Sequence, residues 1–261
     1  MIHSTAVVDP QVELSDTAEI GPWCHLSGNV KVGARTRLLS NVTVFGNTTI
    51  GSNCYVSPFT VLGGIPQDPK YKFEECFLEI GDDNRIHEFV TIHSGCEPEG
   101  TSIGHANIIM SHSHIGHDAT IGDQCKIASY CAFAGHVMIG DHVNVSGLVG
   151  INQFCRIGSF AFISARSNIR LDAPPFAFIH GTDSPPRIRG ANIKGLRRAG
   201  IPKNEIRDIC LALRKWQADD ASFAEAIREI EFLGETNMHA RQLAAFIKNT
   251  RRGVLRTNTN T

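Results

Sequence analysis

The sequence predicts a mainly β fold, a solenoid of short strands, followed by a smaller α-helical domain. Aliphatic residues recur at every sixth position through most of the first 169 residues. Small residues occupy the position two before most of these aliphatic residues. After Ile169 the six-residue period ends, and apolar residues then recur at helical spacing.

The six-residue period is regular enough to identify the inward-facing positions. Stepping by six from Ile2 to Leu62 meets Ile, Leu or Val at all eleven positions, where chance predicts about two or three. The phase returns at Ile80, and a second run extends from Ile103 to Ile169 with one Phe. This period fits neither an α-helix nor a simple alternating strand. A short strand and a turn, repeated around a solenoid, would stack each aliphatic side chain on its equivalent in the next coil.

The small position of the repeat accounts for most of the cysteines. Five of the eight fall there: Cys24, Cys54, Cys125, Cys131 and Cys155. A buried cysteine packs as a small hydrophobic residue, so we expect structural thiols at these positions. The start of the chain shows no signal-peptide pattern, which favours reduced thiols over a disulfide framework for all eight. No CxxC pair exists, so a cysteine zinc site is not supported.

Two segments interrupt the repeat and are predicted to be loops that project from the solenoid. They are residues 63–79, which contain two prolines, and residues 94–102, which shift the phase. Loops on a rigid repeat scaffold are common sites of function. We therefore predict a solenoid domain over 1–190 with these two loops, and a helical domain over 191–261.

Three helices are predicted in the second domain from apolar residues at helical spacing. They cover residues 203–217, 222–233 and 238–250. Ser222 and Glu225 have the spacing of a capping box at the start of the second of these helices.

Composition excludes several classes of protein. Twenty-five Lys and Arg against 26 Asp and Glu give a net charge of −1, which argues against broad electrostatic binding to nucleic acid. No apolar run approaches the roughly 18 residues of a membrane span, so stable membrane insertion is not expected. We expect a cytoplasmic protein.

The densest polar segment is SHSHIGHDATIG, residues 111–122. Because one coil takes about 18 residues, Asp118 should lie beside His136, and His117 should share a column with Gly135 and Gln153. The glycine would leave a notch about 10 Å long, two strand spacings, between the two larger side chains. Histidine is suited to general-base work, and a neighbouring carboxylate fixes its tautomer. A second polar segment, residues 187–198, has five basic residues and no acid, which indicates either a local anion site or a solvated surface.

Six motifs give the chain a resemblance to a known family along nearly its whole length. They are PQDPKY at 66–71, VTIHSG at 90–95, HIGHDATIG at 114–122, AGHV at 134–137, NQFCRIG at 152–158 and GANIKGLRRAG at 190–200. Their order resembles that of the UDP-N-acetylglucosamine acyltransferases of lipid A synthesis. The resemblance implies a left-handed parallel β-helix of hexapeptide repeats, followed by a C-terminal α-helical domain.

The resemblance also implies a reaction and a set of residues. The family transfers a 3-hydroxyacyl chain from acyl carrier protein to the 3-hydroxyl of UDP-N-acetylglucosamine, the first step of lipid A synthesis. By motif position His117 is the general base, Asp118 orients it, and the N–H of Gly135 stabilises the oxyanion. Substrate binding is assigned by the same matching to Asp68, Lys70, His114, His136, Gln153, Asn192 and Arg198.

No metal and no bound cofactor are implied, because the acyl donor is the phosphopantetheine thioester of acyl carrier protein. The family forms homotrimers with active sites between the subunits. This sequence departs from the family pattern at Asn152, where a histidine is common, at Ala199, where an arginine is common, and at Ala165, near a glycine that limits acyl-chain length. These departures leave open the acyl length, transfer to oxygen or nitrogen, and whether the chain is a paralogue of the main enzyme.

Two alternatives stay open at this point. One is a sugar-nucleotide N-acyltransferase or N-acetyltransferase of the same fold. The other is a zinc-dependent solenoid like the γ-type carbonic anhydrases, with three histidines drawn from two subunits. His112, His114, His117, His136 and His142 are the candidate ligands for that second alternative.

Overall fold

Short strands alternate with tight turns along the chain, and every third strand joins the same sheet. The computed structural model describes residues 1–181, 186–218 and 221–256. Within those residues, three sheets of nine, eight and ten strands form the sides of a triangular solenoid. We call them the first, second and third face, in the order in which the chain meets them.

The strands of the first face are Val7–Val8, His25–Ser27, Thr43–Phe45, Val61–Gly64, Thr91–His93, His114–Ile115, Ala132–Phe133, Gly150–Ile151 and Asn168–Ile169. Those of the second face are Glu13–Leu14, Val30–Val32, Asn47–Ile50, Phe77–Ile80, Thr101–Ile103, Thr120–Ile121, Met138–Ile139 and Arg156–Ile157. Those of the third face are Glu19–Ile20, Arg37–Leu38, Tyr55–Val56, Arg85–Ile86, Ile108–Ile109, Lys126–Ile127, Asn144–Val145, Phe162–Ile163, Ala177–His180 and Arg187–Ala191.

The coil length is the one that the six-residue period predicts. His114 pairs with Ala132, and Ala132 pairs with Gly150, each in parallel and 18 residues further along the chain. The strands are parallel throughout except for the last, Arg187–Ala191, which is antiparallel to its neighbour. The aliphatic residue of each repeat points inward, and the five cysteines of the small position are buried among them.

Each corner of the triangle is a turn that places one side chain in a column. Non-glycine residues with positive φ recur along all three corners. On the corner between the first and second faces they include Asp118 (φ 56°), His136 (φ 58°) and Phe154 (φ 65°). The columns continue because the register repeats with every coil. His136 therefore stacks on Phe154, with ring centroids 4.6 Å apart.

The corner between the third and first faces carries a column of side chains, mostly exposed rings, that we call the aromatic column: Trp23, Asn41, Phe59, Phe89, His112, Tyr130 and, at its end, the apolar Leu148. Consecutive rings from Phe59 to Tyr130 stack nearly parallel, with centroids 5.2, 4.8 and 4.7 Å apart. Tyr130 is 57% exposed and Phe59 is 51% exposed. A large apolar strip of this kind is unusual on a surface that stays in water.

Both predicted loops project from the solenoid, with shorter bounds than the sequence indicated. The chain leaves the sheets between Gly64 and Phe77 and again between His93 and Thr101. Residues at the ends of the predicted segments, such as Gly64 and Leu78, belong to strands that pair with neighbouring coils. Backbone pairing therefore extends beyond the residues that follow the six-residue aliphatic period. We call residues 65–76 the first loop and 94–100 the second loop.

The prediction that all eight cysteines are reduced is wrong for one pair. Cys76 and Cys96 form a disulfide between the first and second loops. The other six cysteines are free. The pair escaped prediction because neither residue lies in the repeat, and only the stacking of adjacent coils brings the two loops together.

In the described part of the chain, four helices follow the solenoid: α1 Ile193–Arg198, α2 Lys203–Trp216, α3 Phe223–Gly234 and α4 Met238–Lys248. The three predicted helices match α2, α3 and α4 to within about two residues at each end. The Ser222–Glu225 capping box is present at the start of α3. Helix α1 was not predicted, because its six residues are too few to show a period.

The helices pack on the last coils of the solenoid through Arg156 and Asp172. Arg156 donates to the carbonyl of Asn249 (2.8 Å) and lies over the ring of Phe246. The buried carboxylate of Asp172 accepts from Thr250 Oγ1 at 2.9 Å.

The division into domains at 190 and 191 stays a prediction. None of the helices in the described part of the chain is both long and apolar enough to cross a lipid bilayer.

Candidate active site

The turn between the strands His114–Ile115 and Thr120–Ile121 holds an imidazole–carboxylate pair. His117 Nδ1 lies 2.7 Å from Asp118 Oδ2, and both side chains are more than nine-tenths buried. An ionised carboxylate only accepts hydrogen bonds, so Nδ1 carries the proton and donates it. In the neutral ring Nε2 then keeps its lone pair, which is the tautomer that a general base requires.

Asp118 is held from two further directions. Its Oδ1 accepts the backbone N–H of Glu97 at 2.8 Å. Its own backbone N–H donates to the buried Thr101 Oγ1, also at 2.8 Å. His136 Nε2 lies 3.8 Å from the Oδ2 atom. The predicted proximity of Asp118 and His136 is present. Glu97 and Thr101 were not predicted: Glu97 acts through its backbone N–H in the second loop, and Thr101 through its hydroxyl at the start of the next strand.

The His117 side chain lies over a glycine one coil away, as the 18-residue column predicts. A Cβ at Gly135 would lie 2.5 Å from His117 Nε2 and 2.7 Å from Cε1, so only glycine leaves room for this ring. Among the described backbone groups, the N–H of Gly135 is paired with no carbonyl. A free N–H beside the base is an available hydrogen-bond donor for a developing oxyanion.

These residues border a cavity of about 600 Å³, which we call the notch. It is lined by five of the predicted site residues, namely Asp68, His114, His117, Gly135 and Gln153. The first loop brings Asp68 over the first face, where its Oδ1 accepts the N–H of Lys70 at 2.9 Å in a tight turn. The side chains of Lys70 and His136 do not line the notch.

The notch contains further polar residues that the motifs did not single out as ligands. Gln67 and Asn152 line it, and His93 lies with its ring 5.1 Å from that of His114. The 18-residue offset could have indicated Asn152, since this residue lies one coil beyond Ala134. Gln67 lies on an irregular loop, and no repeat indicates its place.

His114 is a neutral hydrogen-bonding group in this setting. Its Nδ1 lies 2.8 Å from Thr91 Oγ1. Burial lowers the pKa of His114, and the adjacent His93 and His117 lower it further. A neutral ring next to the base leaves a polar but uncharged wall on this side of the notch.

Asn192 and Arg198 border a second and larger cavity, of about 980 Å³, on the third face. A single chain therefore does not bring these two predicted ligands to His117. Lys126, Lys194 and Arg198 line this cavity together with phenylalanine rings, and none of the described residues that line it is acidic. The Asn192 amide also has a local role: its Oδ1 caps α1 through Gly195 N–H, and its Nδ2 donates to the carbonyl of Phe160.

His117, Asp118 and His136 also form a group whose potential metal-ligating atoms all lie within 4.8 Å of one another. Ligand atoms about 2.0–2.1 Å from a tetrahedral zinc ion stand roughly 3.3 Å apart. The 2.7 Å between His117 and Asp118 is shorter and matches a shared proton. The geometry therefore favours a hydrogen-bonded pair, and a three-histidine set is absent from this group.

Comparison with known proteins identifies the family. The family model "Udp N-acetylglucosamine O-acyltransferase; Domain 2" matches residues 172–255, and that of the bacterial transferase hexapeptide repeat matches residues 100–135. The acyl-[acyl-carrier-protein]–UDP-N-acetylglucosamine O-acyltransferase of Burkholderia lata is 40% identical over 98% of this chain and 99% of its own length. The chain belongs to the UDP-N-acetylglucosamine O-acyltransferase family.

Solved structures of this acyltransferase family agree with the sequence comparison. The UDP-N-acetylglucosamine acyltransferase of Francisella novicida is 35% identical and superposes with a TM-score of 0.97, covering 100% of this chain and 95% of that one. The enzyme of Moraxella catarrhalis is 37% identical with a TM-score of 0.93, covering 98% and 99%. The predicted fold class, a left-handed parallel β-helix with a C-terminal helical domain, is confirmed. The chain is an acyltransferase, and the two alternative functions are not favoured.

Proposed function

We propose that this protein transfers a 3-hydroxyacyl chain from acyl carrier protein to the 3-hydroxyl of UDP-N-acetylglucosamine, the first step of lipid A synthesis. The single observation that carries the mechanism is the buried His117–Asp118 pair, with Nε2 directed at the glycine column of the notch. The relatives named for this activity match the chain over nearly its full length.

The reaction follows from the protonation state of the pair. His117 Nε2 removes the proton of the sugar 3-hydroxyl as its oxygen attacks the thioester carbonyl carbon. The carbonyl oxygen becomes an oxyanion, which accepts the N–H of Gly135. When the intermediate collapses, the C–S bond breaks and the imidazolium returns its proton to the phosphopantetheine thiolate. Asp118 stabilises the imidazolium through Nδ1.

We further propose that the site is completed in a homotrimer. The notch lies on the first face, and the cationic cavity with Asn192 and Arg198 lies on the third face. The two cavities can form one site only if the first face of one subunit meets the third face of the next. In a three-fold ring, this arrangement turns the corner between those faces toward the axis. That corner carries the aromatic column, whose exposed rings would then be buried.

In this assembly the substrate groups divide between the two chains. The sugar hydroxyl and thioester meet at His117 in the notch, with Asp68, His114 and Gln153 as polar contacts. The nucleotide phosphates are matched by Arg198 of the neighbouring chain, together with Lys70 of the first loop. We place the reaction in the cytoplasm, where acyl carrier protein thioesters and nucleotide sugars are made.

Substitution of His117 tests the proposal. Acyl transfer is followed by mass spectrometry, with UDP-N-acetylglucosamine or its 3-amino analogue as acceptor and a ladder of acyl carrier protein thioesters as donors. His117→Ala should lower turnover by about 10² to 10⁴ while the melting temperature stays near that of the wild type. The matched control is His3→Ala, which removes an exposed histidine at the start of the solenoid. A His117→Ala protein with half of the wild-type rate would place the base elsewhere.

A further inference from the structure

The disulfide Cys76–Cys96 joins two loops that both reach the proposed site. The first loop carries Asp68 to the notch, and Cys76 lies at its end. Cys96 lies in the second loop, directly before Glu97, whose N–H donates to Asp118. The disulfide therefore anchors Cys96, and the next residue, Glu97, donates the N–H that orients the carboxylate of Asp118.

Backbone contacts beside the disulfide form a small clamp. Phe77 and Gly95 exchange two antiparallel hydrogen bonds, of 2.8 and 3.0 Å. The N–H of Ser94 donates to the carbonyl of Gly64 at 2.8 Å. These contacts cover only the start of the second loop. The disulfide is the next attachment along the chain, immediately before the Glu97 amide.

The clamp holds the second loop in van der Waals contact with Asp118. A Cβ on Gly95 would overlap the carboxylate Oδ1 and would lie 2.7 Å from the Asp118 nitrogen and 2.8 Å from its Cα. The backbone of the loop therefore packs directly on the backbone of the catalytic turn. A shift of the loop would change both the packing against Asp118 and the hydrogen bond from Glu97.

We infer that the Cys76–Cys96 disulfide is a positioning element for the His117–Asp118 pair, and that its reduction lowers the rate of acyl transfer. The inference rests on the proposed function. Neither cysteine touches the reacting atoms, and each acts through the second loop. While Asp118 accepts the N–H of Glu97, its carboxylate holds the His117 imidazole in the tautomer with a free Nε2 lone pair. When the second loop is released, Asp118 loses the Glu97 donor, and the carboxylate is no longer held in the orientation that positions His117.

The redox step is a thiol–disulfide exchange with a dithiol. One thiolate of the dithiol attacks one sulfur of the disulfide, the S–S bond breaks, and the second thiol resolves the mixed disulfide. The dithiol ends as a disulfide, and Cys76 and Cys96 each end as a thiol, so two electrons and two protons pass to the protein. Oxidation by a low-molecular-weight disulfide reverses the exchange. In a reducing cytoplasm the bond forms only under oxidising conditions, so the pair would switch the enzyme between a slower reduced form and a faster oxidised form.

The first experiment compares the full-length protein before and after treatment with dithiothreitol, with free thiols counted by mass spectrometry. Opening the disulfide should lower kcat roughly ten- to a hundredfold. The KM for UDP-N-acetylglucosamine should change less, because the ligands of the nucleotide lie elsewhere. A Cys76→Ser/Cys96→Ser double variant should have the low kcat of the reduced protein and should not respond to dithiothreitol. An unchanged kcat in protein whose disulfide is shown to be open would overturn the inference, as would failure of the pair to oxidise.

A second experiment tests whether the effect passes through Asp118. In an Asp118→Asn background, reduction should produce little further loss, because the carboxylate that the loop orients is already gone. If reduction lowers kcat equally in both backgrounds, the disulfide acts on general stability and the inference fails. If Asp118→Asn itself leaves the rate unchanged, the failure belongs to the proposed mechanism, which keeps the two claims distinguishable.

A third variant displaces the loop without touching either cysteine. Gly95→Ala places a methyl group against Asp118 and should lower kcat to a similar extent with the disulfide intact. The matched control is Glu99→Ala, which truncates an exposed side chain of the same loop. Equal kcat in the two alanine variants would contradict the role assigned to the second loop.

Discussion

At the scale of single residues, the histidines around the notch differ in what surrounds each ring. His117 donates to a buried carboxylate, whereas His114 has a hydroxyl partner and two histidine neighbours. The lowered pKa of His114 means that the folded protein binds a proton there less readily than the unfolded chain does. Stability linked to His114 is therefore present above the ordinary histidine pKa and is lost progressively as the pH falls below it.

This linkage predicts a pH-dependent stability that a neutral side chain would remove. The free energy of unfolding in urea should fall between about pH 7 and pH 5 in the wild type, and the fall should be smaller in His114→Gln. The control is His3→Gln, at an exposed position at the start of the solenoid, which should keep the wild-type pH dependence. Identical slopes for His114→Gln and the wild type would show that His114 does not contribute to this linkage.

The thiols of the small position give a second test at this scale. Burial raises the pKa of Cys125 to about 12 and that of Cys155 to about 11, so almost no thiolate forms at neutral pH. Iodoacetamide should label Cys210, which is partly exposed, well before either of them in the oxidised native protein. Mass spectrometry of the labelled peptides measures this order. In urea the difference should vanish, and rapid labelling of native Cys125 would contradict it.

At the scale of the element, the turn and its column determine the geometry of the base. Gly135→Ala would place a methyl group 2.5 Å from His117 Nε2 and push the ring away from the notch. We expect kcat to fall on the order of a hundredfold, since small displacements of a catalytic group have effects of this size. The control is Met138→Ala, which truncates an exposed side chain on the second face, three residues further along the same coil. Near-equal kcat values would show that the column does not constrain the base.

The same scale shows which parts of the molecule a sequence can predict. The inward positions, the His117–Gly135–Gln153 column and the Asp118–His136 contact follow from a period, and a period is visible without coordinates. The Cys76–Cys96 bond and the Glu97 donor depend on loop paths that no repeat specifies. The roles of the site residues came from motif resemblance, and they stay predictions until the variants are measured.

At the scale of the whole molecule, the aromatic column tests the assembly. Tyr130→Asp would place a charge among rings that the proposed trimer buries, and should shift the protein toward monomers in sedimentation experiments. The control is Met138→Asp, an equally exposed position on the second face, which points away from the axis. A Tyr130→Asp trimer as stable as the wild type would remove the column from the interface.

Shared sites predict that two impaired chains can restore each other. His117→Ala and Arg198→Ala subunits, expressed together, should form about one intact site in four in randomly mixed trimers. Activity at low nucleotide concentration should therefore exceed that of either variant alone. The control pairs His117→Ala with the double variant His117→Ala/Arg198→Ala, in which no chain supplies the base. Absence of any gain in the first mixture would place both residues in one chain's site.

The fixed register of the solenoid limits how such a chain can change in length. Val7 pairs with His25 and Gly150 with Asn168, 18 residues apart, whereas Val61 pairs with Thr91 and Thr91 with His114. Duplication of a whole coil would lengthen the molecule by about 4.8 Å and leave each column in phase. An insertion of any other length must bulge outward, as both loops do. In evolutionary terms, the solenoid can lengthen by whole coils. Residues of the two outward loops are not held in the 18-residue register, so they can change in number and type more freely than those of the coils.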